Sequence, residues 1–157
     1  MAMQILIKTL NVSMITCTTD SFENQKFLQD HFTNQQMNIV FTPTERDPWQ
    51  KCMEITNGIG YDLILDFAGS MEHMKRQCLK LATFYGIIAT SYKDMQLDPP
   101  ESKFLNQKCV TMSFINYQTL LESGLHDGVA RTLLSDIHVK LLKNEFGHVM
   151  SQFVNSN

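Results

Sequence analysis

The feature that most constrains the fold is a nearly continuous apolar run over residues 61–67, which follows the strongest turn signal of the chain, residues 57–60. Five of these seven residues are apolar, and an apolar run of this length bounded by a turn is typical of a strand that is buried on both faces, as in a parallel sheet. Gly58 and Gly60 supply the turn. We therefore predict a buried strand over residues 61–67.

Other short apolar or β-branched runs alternate with segments of helical periodicity. We predict further strands over residues 12–17, 37–42, 84–91 and 109–115. Helices are predicted over residues 2–10, 22–32, 49–55, 70–81 and 127–143, and the Pro-containing segment 92–105 is predicted to be a loop. This alternation implies right-handed crossovers and an α/β, doubly wound, mostly parallel sheet, in which ligands bind at the carboxyl ends of the strands.

Length and charge exclude several classes of protein. A chain of 157 residues with 43% hydrophobic residues is the size of one compact domain. A net charge of -3 gives no broad positive field, so we expect no nucleic-acid partner. The apolar runs are far shorter than the roughly 18 residues that a membrane span needs, and the N-terminus lacks the order of a signal peptide. We expect a cytoplasmic protein that makes no contact with membranes.

The residues that could carry chemistry do not form a recognisable catalytic or metal-binding set. The four cysteines are far apart in sequence and are predicted to be buried thiols in a reducing compartment. The histidines have no regular spacing with carboxylates or cysteines, so no metal site is predicted. Asp62 and Asp66 would lie about 13 Å apart on one strand, too far for paired acid–base work. Ser70 lacks the surroundings of a nucleophile elbow. No catalytic residue is predicted.

A family resemblance adds to this interpretation. It is carried by the segment Gly58-Ile59-Gly60-Tyr61-Asp62, by Gln96-Leu97-Asp98-Pro99-Pro100, and by the pattern Lys108-x-x-Thr111-Met-x-Phe114-Ile-Asn116. In these segments the chain resembles the nucleotide-binding half of zinc-free medium-chain reductases. Among those reductases, it resembles most the group of zeta-crystallin-like quinone oxidoreductases. The resemblance covers about residues 2–146. It implies a Rossmann-type sheet lacking its first strand and glycine-rich loop, because no glycine precedes Gly58.

The resemblance also implies a cofactor and its binding residues. Members of the family that prefer NADPH place small hydroxyls and a lysine after the second strand, a pattern that Thr18, Thr19, Ser21 and Lys26 resemble. Asp20 in the same turn leaves two alternatives open. In other members of the family, an acidic residue at this place binds the ribose 2′-hydroxyl and favours NAD. Alternatively, Asp20 only caps the helix that follows. Gly69 and Thr90 fall where the family passes the nicotinamide riboside over the strand ends.

Two functions follow from the resemblance. The first is the NADPH-binding half of an oxidoreductase that transfers hydride to a quinone or a related conjugated carbonyl, with this shortened chain inactive by itself. The alternative is a non-catalytic dimerisation or binding module, because the family pairs its last strand with a partner and the matching stretch here runs from Thr111 to Ile115. We predict residues 1–146 as a partial dinucleotide-binding domain and residues 147–157 as a loosely ordered tail.

Overall fold

A computed structural model of the chain describes residues 6, 7, 10, 12–32, 37–67, 77–122 and 127–143. The chain forms two compact units. One comprises residues 14–116, and the other combines residues 1–13 with residues 117–157. Each unit is described by itself below.

The described part of the unit 14–116 alternates strands with helices. Its strands are β1 (Ile15–Thr19), β2 (Met37–Phe41), β3 (Tyr61–Asp66), β4 (Ala82–Thr90) and β5 (Thr111–Phe114). Its helices are α1 (Phe22–His31), α2 (Pro48–Ile55), the single turn α3 (Leu79–Leu81) and α4 (Pro99–Lys108). The structure thus confirms an α/β fold, and each of the five strands lies within two or three residues of its predicted range.

The strands form two parallel sheets. β1 pairs with β2 in register from Ile15 opposite Met37 to Thr19 opposite Phe41. The second sheet has the order β3-β4-β5, with both pairs parallel. Parallel pairing in each sheet agrees with the long helical connections between successive strands.

Among its described residues, the core of this unit consists of two clusters of buried apolar side chains. One cluster is centred on buried Cys78, Leu79, Ala82 and Ile88, and Phe104, Leu105 and Met112 pack against it. A second cluster contains Val40, Cys52 and Leu81, with Tyr61 and Ile64 packed at its border. β2 and β3 contribute to the same second cluster, so apolar burial holds the two sheets in one unit.

The start of β4 is irregular. Tyr61 pairs with Ala82, but Leu63 pairs with Ile87, so β4 carries extra residues as a bulge. Tyr85 in this bulge has a φ of 58° and a side chain that is 79% exposed. On the opposite strand, Gly60 has a φ of 93°, and a Cβ there would lie 2.5 Å from the Leu81 carbonyl oxygen. A glycine is therefore required where β3 enters the sheet.

Several sequence predictions about this unit are wrong. Burial of the whole strand over residues 61–67 is one of them, because Asp62, Leu63 and Phe67 are exposed. The predicted loop 92–105 contains the start of α4, because prolines occupy the first turn of that helix, where their missing N–H groups cost nothing.

The prediction of buried thiols holds for Cys52 and Cys78, but Cys17 is only half-buried and Cys109 is exposed. Cys109 adopts a left-handed conformation with a φ of 53° as the C-cap of α4, which places it at the surface.

The second unit contributes α5 (Tyr117–Glu122) and α6 (Asp127–Leu142) among its described residues. The predicted helix 127–143 is confirmed, whereas α5 has no counterpart in the sequence prediction. Leu133, Leu134 and Leu142 are exposed on α6. Of the predicted helix 2–10, only residues 6 and 7 are described as helical, and most of the predicted helix 70–81 lies outside the described residues.

Candidate functional site

The carboxyl ends of β3 and β4 carry a buried polar pair. Thr90 is the last residue of β4 and is 0% exposed, and Asp66 is the last residue of β3 and is 3% exposed. The Thr90 hydroxyl donates to Asp66 Oδ2 over 2.9 Å. A buried carboxylate is stabilised only when its oxygens are hydrogen-bonded, so the threonine hydroxyl meets part of that requirement.

Further hydrogen bonds tie this pair to the chain that follows the strands. The Tyr92 amide donates to Thr90 Oγ1 over 3.0 Å, and the Ser91 amide donates to the Asp66 carbonyl over 3.1 Å. The Ile115 amide donates to the Thr90 carbonyl over 2.8 Å. The ends of β3, β4 and β5 are therefore joined around Thr90, and the segment leaving β4 has a defined path.

Two thiols of the core are chemically inactive at neutral pH. Burial raises the pKa of Cys52 to about 11, partly offset by a hydrogen bond from Tyr61. Burial, and then the nearby Asp66 carboxylate, raise the pKa of Cys78 to about 12. Because the thiolate is the nucleophilic form, burial makes both thiols poor nucleophiles at neutral pH.

The turn from β1 to α1 holds four of the predicted cofactor residues. Thr18 and Lys26 are exposed, and Thr19 is buried at the end of β1. The Ser21 hydroxyl accepts from the Asn24 amide as the N-cap of α1, and the Ser21 amide donates to Thr19 Oγ1. Thr19 and Ser21 thus shape the turn, while Thr18 near the end of β1 and Lys26 on α1 are exposed to solvent.

An aromatic surface lies beside this turn. Phe22 at the start of α1 is exposed, and its ring meets that of Phe41 at the end of β2 edge-on, with centroids 6.5 Å apart. Asp20 and Glu23 are also exposed in the same stretch. The turn therefore offers an apolar ring face, one lysine and two carboxylates.

The structure separates the predicted site residues into groups. Thr18, Thr19, Ser21 and Lys26 lie on β1, the turn and α1, whereas Thr90 ends β4 in the other sheet. The Thr90 hydroxyl is buried and donates to Asp66, so it can hold the end of β4 in position but does not face a ligand directly. Gly69 lies outside the described residues, as does Ser70.

Within the described residues, no three histidine, cysteine, aspartate or glutamate side chains are placed to hold a metal ion. No described helix is long and apolar enough to cross a membrane.

Sequence reasoning missed two side-chain contacts of this unit. It considered Asp66 only together with Asp62, as an acid–base pair that it rejected, and it assigned Thr90 to a cofactor site without connecting it with Asp66. It did not connect Tyr61 with Thr16, whose hydroxyls lie 2.9 Å apart although the residues are 45 positions apart in the chain. A buried carboxylate at the end of an apolar strand is the signal that could have indicated a hydroxyl partner on the neighbouring strand.

No family model matches the chain. Among curated proteins, it is similar to quinone oxidoreductase-like protein 1 of Mus musculus, with 26% identity over 115 residues. The match covers 66% of this chain and 33% of that protein. This chain therefore spans about a third of the length of its curated relative.

Solved structures show the same fold. The enoyl reductase CurK matches with a TM-score of 0.65 and 17% identity over 92% of this chain and 40% of its own. The quinone oxidoreductase of Pseudomonas syringae matches with a TM-score of 0.65 and 12% identity over 90% of this chain and 41% of its own. The predicted Rossmann-type fold and the predicted resemblance to part of a medium-chain reductase are confirmed.

Proposed function

We propose that this relative of the medium-chain reductases binds a nicotinamide dinucleotide, with NADPH as the preferred form, along the carboxyl ends of its strands. The observation that carries the proposal is that Thr18 at the carboxyl end of β1 and Phe22 and Lys26 on the helix that follows it are all exposed. In doubly wound folds, ligands bind at this end of the strands. The curated relative is named as a quinone oxidoreductase-like protein, which supports an oxidoreductase context for the cofactor.

Each part of the turn has a role in this proposal. The exposed Phe22 ring offers a flat face on which an adenine can stack. Thr18 and Lys26 supply a hydroxyl and a positive charge for the 2′-phosphate that distinguishes NADPH from NADH. Asp20 and Glu23 repel that phosphate, so the preference for NADPH is expected to be small.

At the other sheet, Thr90 and Asp66 keep the strand ends in place beneath the nicotinamide end of the cofactor. Thr90 acts as a positioning residue because its hydroxyl is already occupied by Asp66 and the Tyr92 amide. Gly69 would allow the close approach of the riboside. In this proposal, hydride transfer to a quinone or a conjugated carbonyl is the activity of a complete enzyme of this type, and the isolated chain does not turn over.

The test is a titration of the purified chain with NADPH and with NADH, followed by thermal unfolding and by cofactor fluorescence. Saturable stabilisation is expected, reaching about 2.7 kcal/mol at a hundredfold excess over Kd. Lys26→Ala should weaken NADPH binding more than NADH binding. Lys51→Ala, an exposed lysine of α2 near Glu54, serves as the matched control and should change neither. A folded sample that shows no shift at millimolar cofactor contradicts the proposal.

A second candidate function is homodimerisation through β5. Among the described residues, β5 pairs only with β4, and Thr111, Ser113 and Phe114 on it are exposed. Such an edge can pair with the same edge of a second copy. Sedimentation analysis of the chain should show a dimer that Ser113→Lys dissociates, since a lysine on an edge strand opposes pairing. A monomer at all concentrations contradicts this candidate.

A further inference from the structure

Helix α2 ends in a hydrogen-bonded cap that is built on an asparagine. Thr56 is the C-cap residue, and the Asn57 amide after it donates to the Glu54 carbonyl over 3.0 Å. The Gly58 amide donates to the Met53 carbonyl over 2.8 Å. These two bonds form a Schellman motif, in which the residue after the C-cap adopts a left-handed conformation. Glycine usually occupies that position, whereas here it is Asn57, with a φ of 52°.

The pair Asn57-Gly58 is also chemically distinctive. Asn57 is the one asparagine among the 157 residues that precedes a glycine. A glycine has no side chain to hinder attack by its main-chain nitrogen on the side-chain carbonyl carbon of the preceding residue. Both residues are exposed, and no atom lies within 4 Å of the position that a Cβ of Gly58 would take. Water therefore reaches the pair, and a ring formed between the two residues has room.

We propose that Asn57 is a site of spontaneous deamidation, which the cap of α2 slows in the folded chain. The Gly58 main-chain nitrogen attacks Cγ of Asn57, the bond from Cγ to Nδ2 breaks, and ammonia leaves with the proton that the Gly58 nitrogen gives up. Water then opens the resulting succinimide at one of its two carbonyls and yields aspartate or isoaspartate. The reaction consumes water and needs no oxidant or reductant. This site lies before the start of β3 and does not depend on the proposed cofactor site.

The cap slows the reaction because it holds the attacking nitrogen. The Gly58 N–H is bonded to the Met53 carbonyl, so its nitrogen cannot lose the proton and turn towards Cγ until that bond opens. The Thr56 hydroxyl reinforces the cap, since it donates to the Met53 carbonyl over 3.0 Å and accepts from the Gly60 amide over 3.1 Å. The rate of deamidation in the folded chain is therefore the intrinsic rate reduced by the fraction of time that the cap is open.

The isoaspartate product lengthens a turn that has no spare room. In isoaspartate the main chain runs through the former side-chain carbons, which adds a carbon atom to the backbone. The turn joins Thr56, which is buried, to Gly60, where a Cβ would lie 2.5 Å from the Leu81 carbonyl oxygen. Because packing fixes both ends, the extra atom either shifts the entry of β3 or breaks the cap. The aspartate product keeps the backbone length and adds a negative charge to the net charge of -3.

The experiment incubates the purified full chain at mildly alkaline pH, with and without an unfolding concentration of guanidinium chloride. Ion-exchange chromatography and peptide mapping follow the products. Asn57 should be modified, with isoaspartate among the products, at least about tenfold more slowly in the folded chain than in guanidinium, and this factor should match the hydrogen-exchange protection of the Gly58 amide. Asn106, which is exposed and precedes Gln107, is the internal control and should stay intact.

Two variants separate the chemistry from the folding. Thr56→Val removes the hydroxyl that reinforces the cap, so deamidation should become about fivefold faster in the folded chain and should not change in guanidinium. Asn57→Gly keeps the left-handed conformation and removes the reacting amide, so its melting temperature should survive an incubation that lowers that of the unsubstituted chain.

Four results would overturn the proposal. They are an intact Asn57 in guanidinium, equal rates of deamidation with and without guanidinium, an unchanged rate in a Thr56→Val chain that remains folded, and an equal loss of melting temperature in the Asn57→Gly chain. If Thr56→Val does not fold, the comparison of folded and unfolded rates and the Asn57→Gly chain still decide the question.

Discussion

The sheet β3-β4-β5 and the sheet β1-β2 are built from similar parallel strands, but they differ in how completely they are buried. β4 lies between two strands, and its residues Ile88 and Thr90 are fully buried. Among the described strands, β1 and β2 pair only with each other, and the deeply buried side chain of β2 is Val40. The burial of polar side chains also differs between the two sheets. The Asp66 carboxylate is buried at the end of β3, whereas Thr18 near the end of β1 and Lys26 on α1 are exposed.

Because of this difference, we expect the sheet β3-β4-β5 to contribute mainly to the stability of the unit and the end of the sheet β1-β2 to contribute mainly to ligand binding. The three-stranded sheet buries its polar groups against each other, so they hold strand ends in place. At the corresponding end of β1, Thr19 is buried, but Thr18 and the neighbouring Phe22 and Lys26 are exposed, where a ligand can reach them. We expect mutations in the first sheet to change the free energy of unfolding and mutations at the end of the second to change binding.

The largest effect is expected from Ile88→Ala, which removes a fully buried side chain from the middle strand. It should lower the free energy of unfolding by about 3 to 4 kcal/mol, through lost burial and a cavity. Val40→Ala in β2 should cost about 2 kcal/mol because fewer buried atoms are removed. Urea unfolding followed by circular dichroism measures both, and Ile87→Ala, at the 44% exposed neighbouring position, is the matched control.

The next largest loss of stability is expected from a substitution at Gly60, where the chain enters β3. Gly60→Ala places a Cβ against backbone atoms of Leu81 and Thr83 at a positive φ, so we expect a loss of about 3 kcal/mol. Gly58→Ala also has a positive φ, but no atom lies within 4 Å of the new Cβ. Its expected cost is about 1 kcal/mol. Equal losses in thermal unfolding would show that steric contact at Gly60 does not matter.

The hydrogen-bonded pair of Thr90 and Asp66 should contribute somewhat less to the free energy of unfolding. Thr90→Val removes the hydroxyl that donates to Asp66 and accepts from the Tyr92 amide, which leaves two groups without that partner. We expect a loss of about 2 kcal/mol. Thr18→Val at the exposed end of β1 should change stability by less than about 0.5 kcal/mol. If the two variants unfold alike, the contrast between the two strand ends is wrong.

A further effect concerns alkaline pH. Burial raises the pKa of Cys52 to about 11 and of Cys78 to about 12 from an ordinary value of 9.0, so the unfolded chain loses these protons first. The stabilising contribution is complete below pH 9 and is lost as the pH rises towards 11 to 12. Chemical denaturation between pH 8 and pH 10.5 should show stability falling with pH. Cys78→Ala should flatten this decline more than exposed Cys109→Ala.

Local sequence signals predicted the strands well because each strand is a short apolar run bounded by turn residues. Residues 61–67, after Gly58 and Gly60, illustrate this, since β3 begins at Tyr61 and ends at Asp66. The start of α4 was missed because Pro99 and Pro100 were taken as loop residues, although the first helical turn accepts proline. Among the site residues, the turn around Ser21 follows from local N-cap chemistry.

The amino-acid sequence by itself determined the alternating α/β pattern, the parallel pairing that long connections require, and the turn after β1. These depend on neighbours a few residues apart, through periodicity, capping and turn preferences. Tertiary packing alone brings the Thr90 hydroxyl to Asp66 and the Tyr61 hydroxyl to Thr16. The physical reason is that these contacts join residues 24 and 45 positions apart, and burial and strand order, not local preference, bring such residues together.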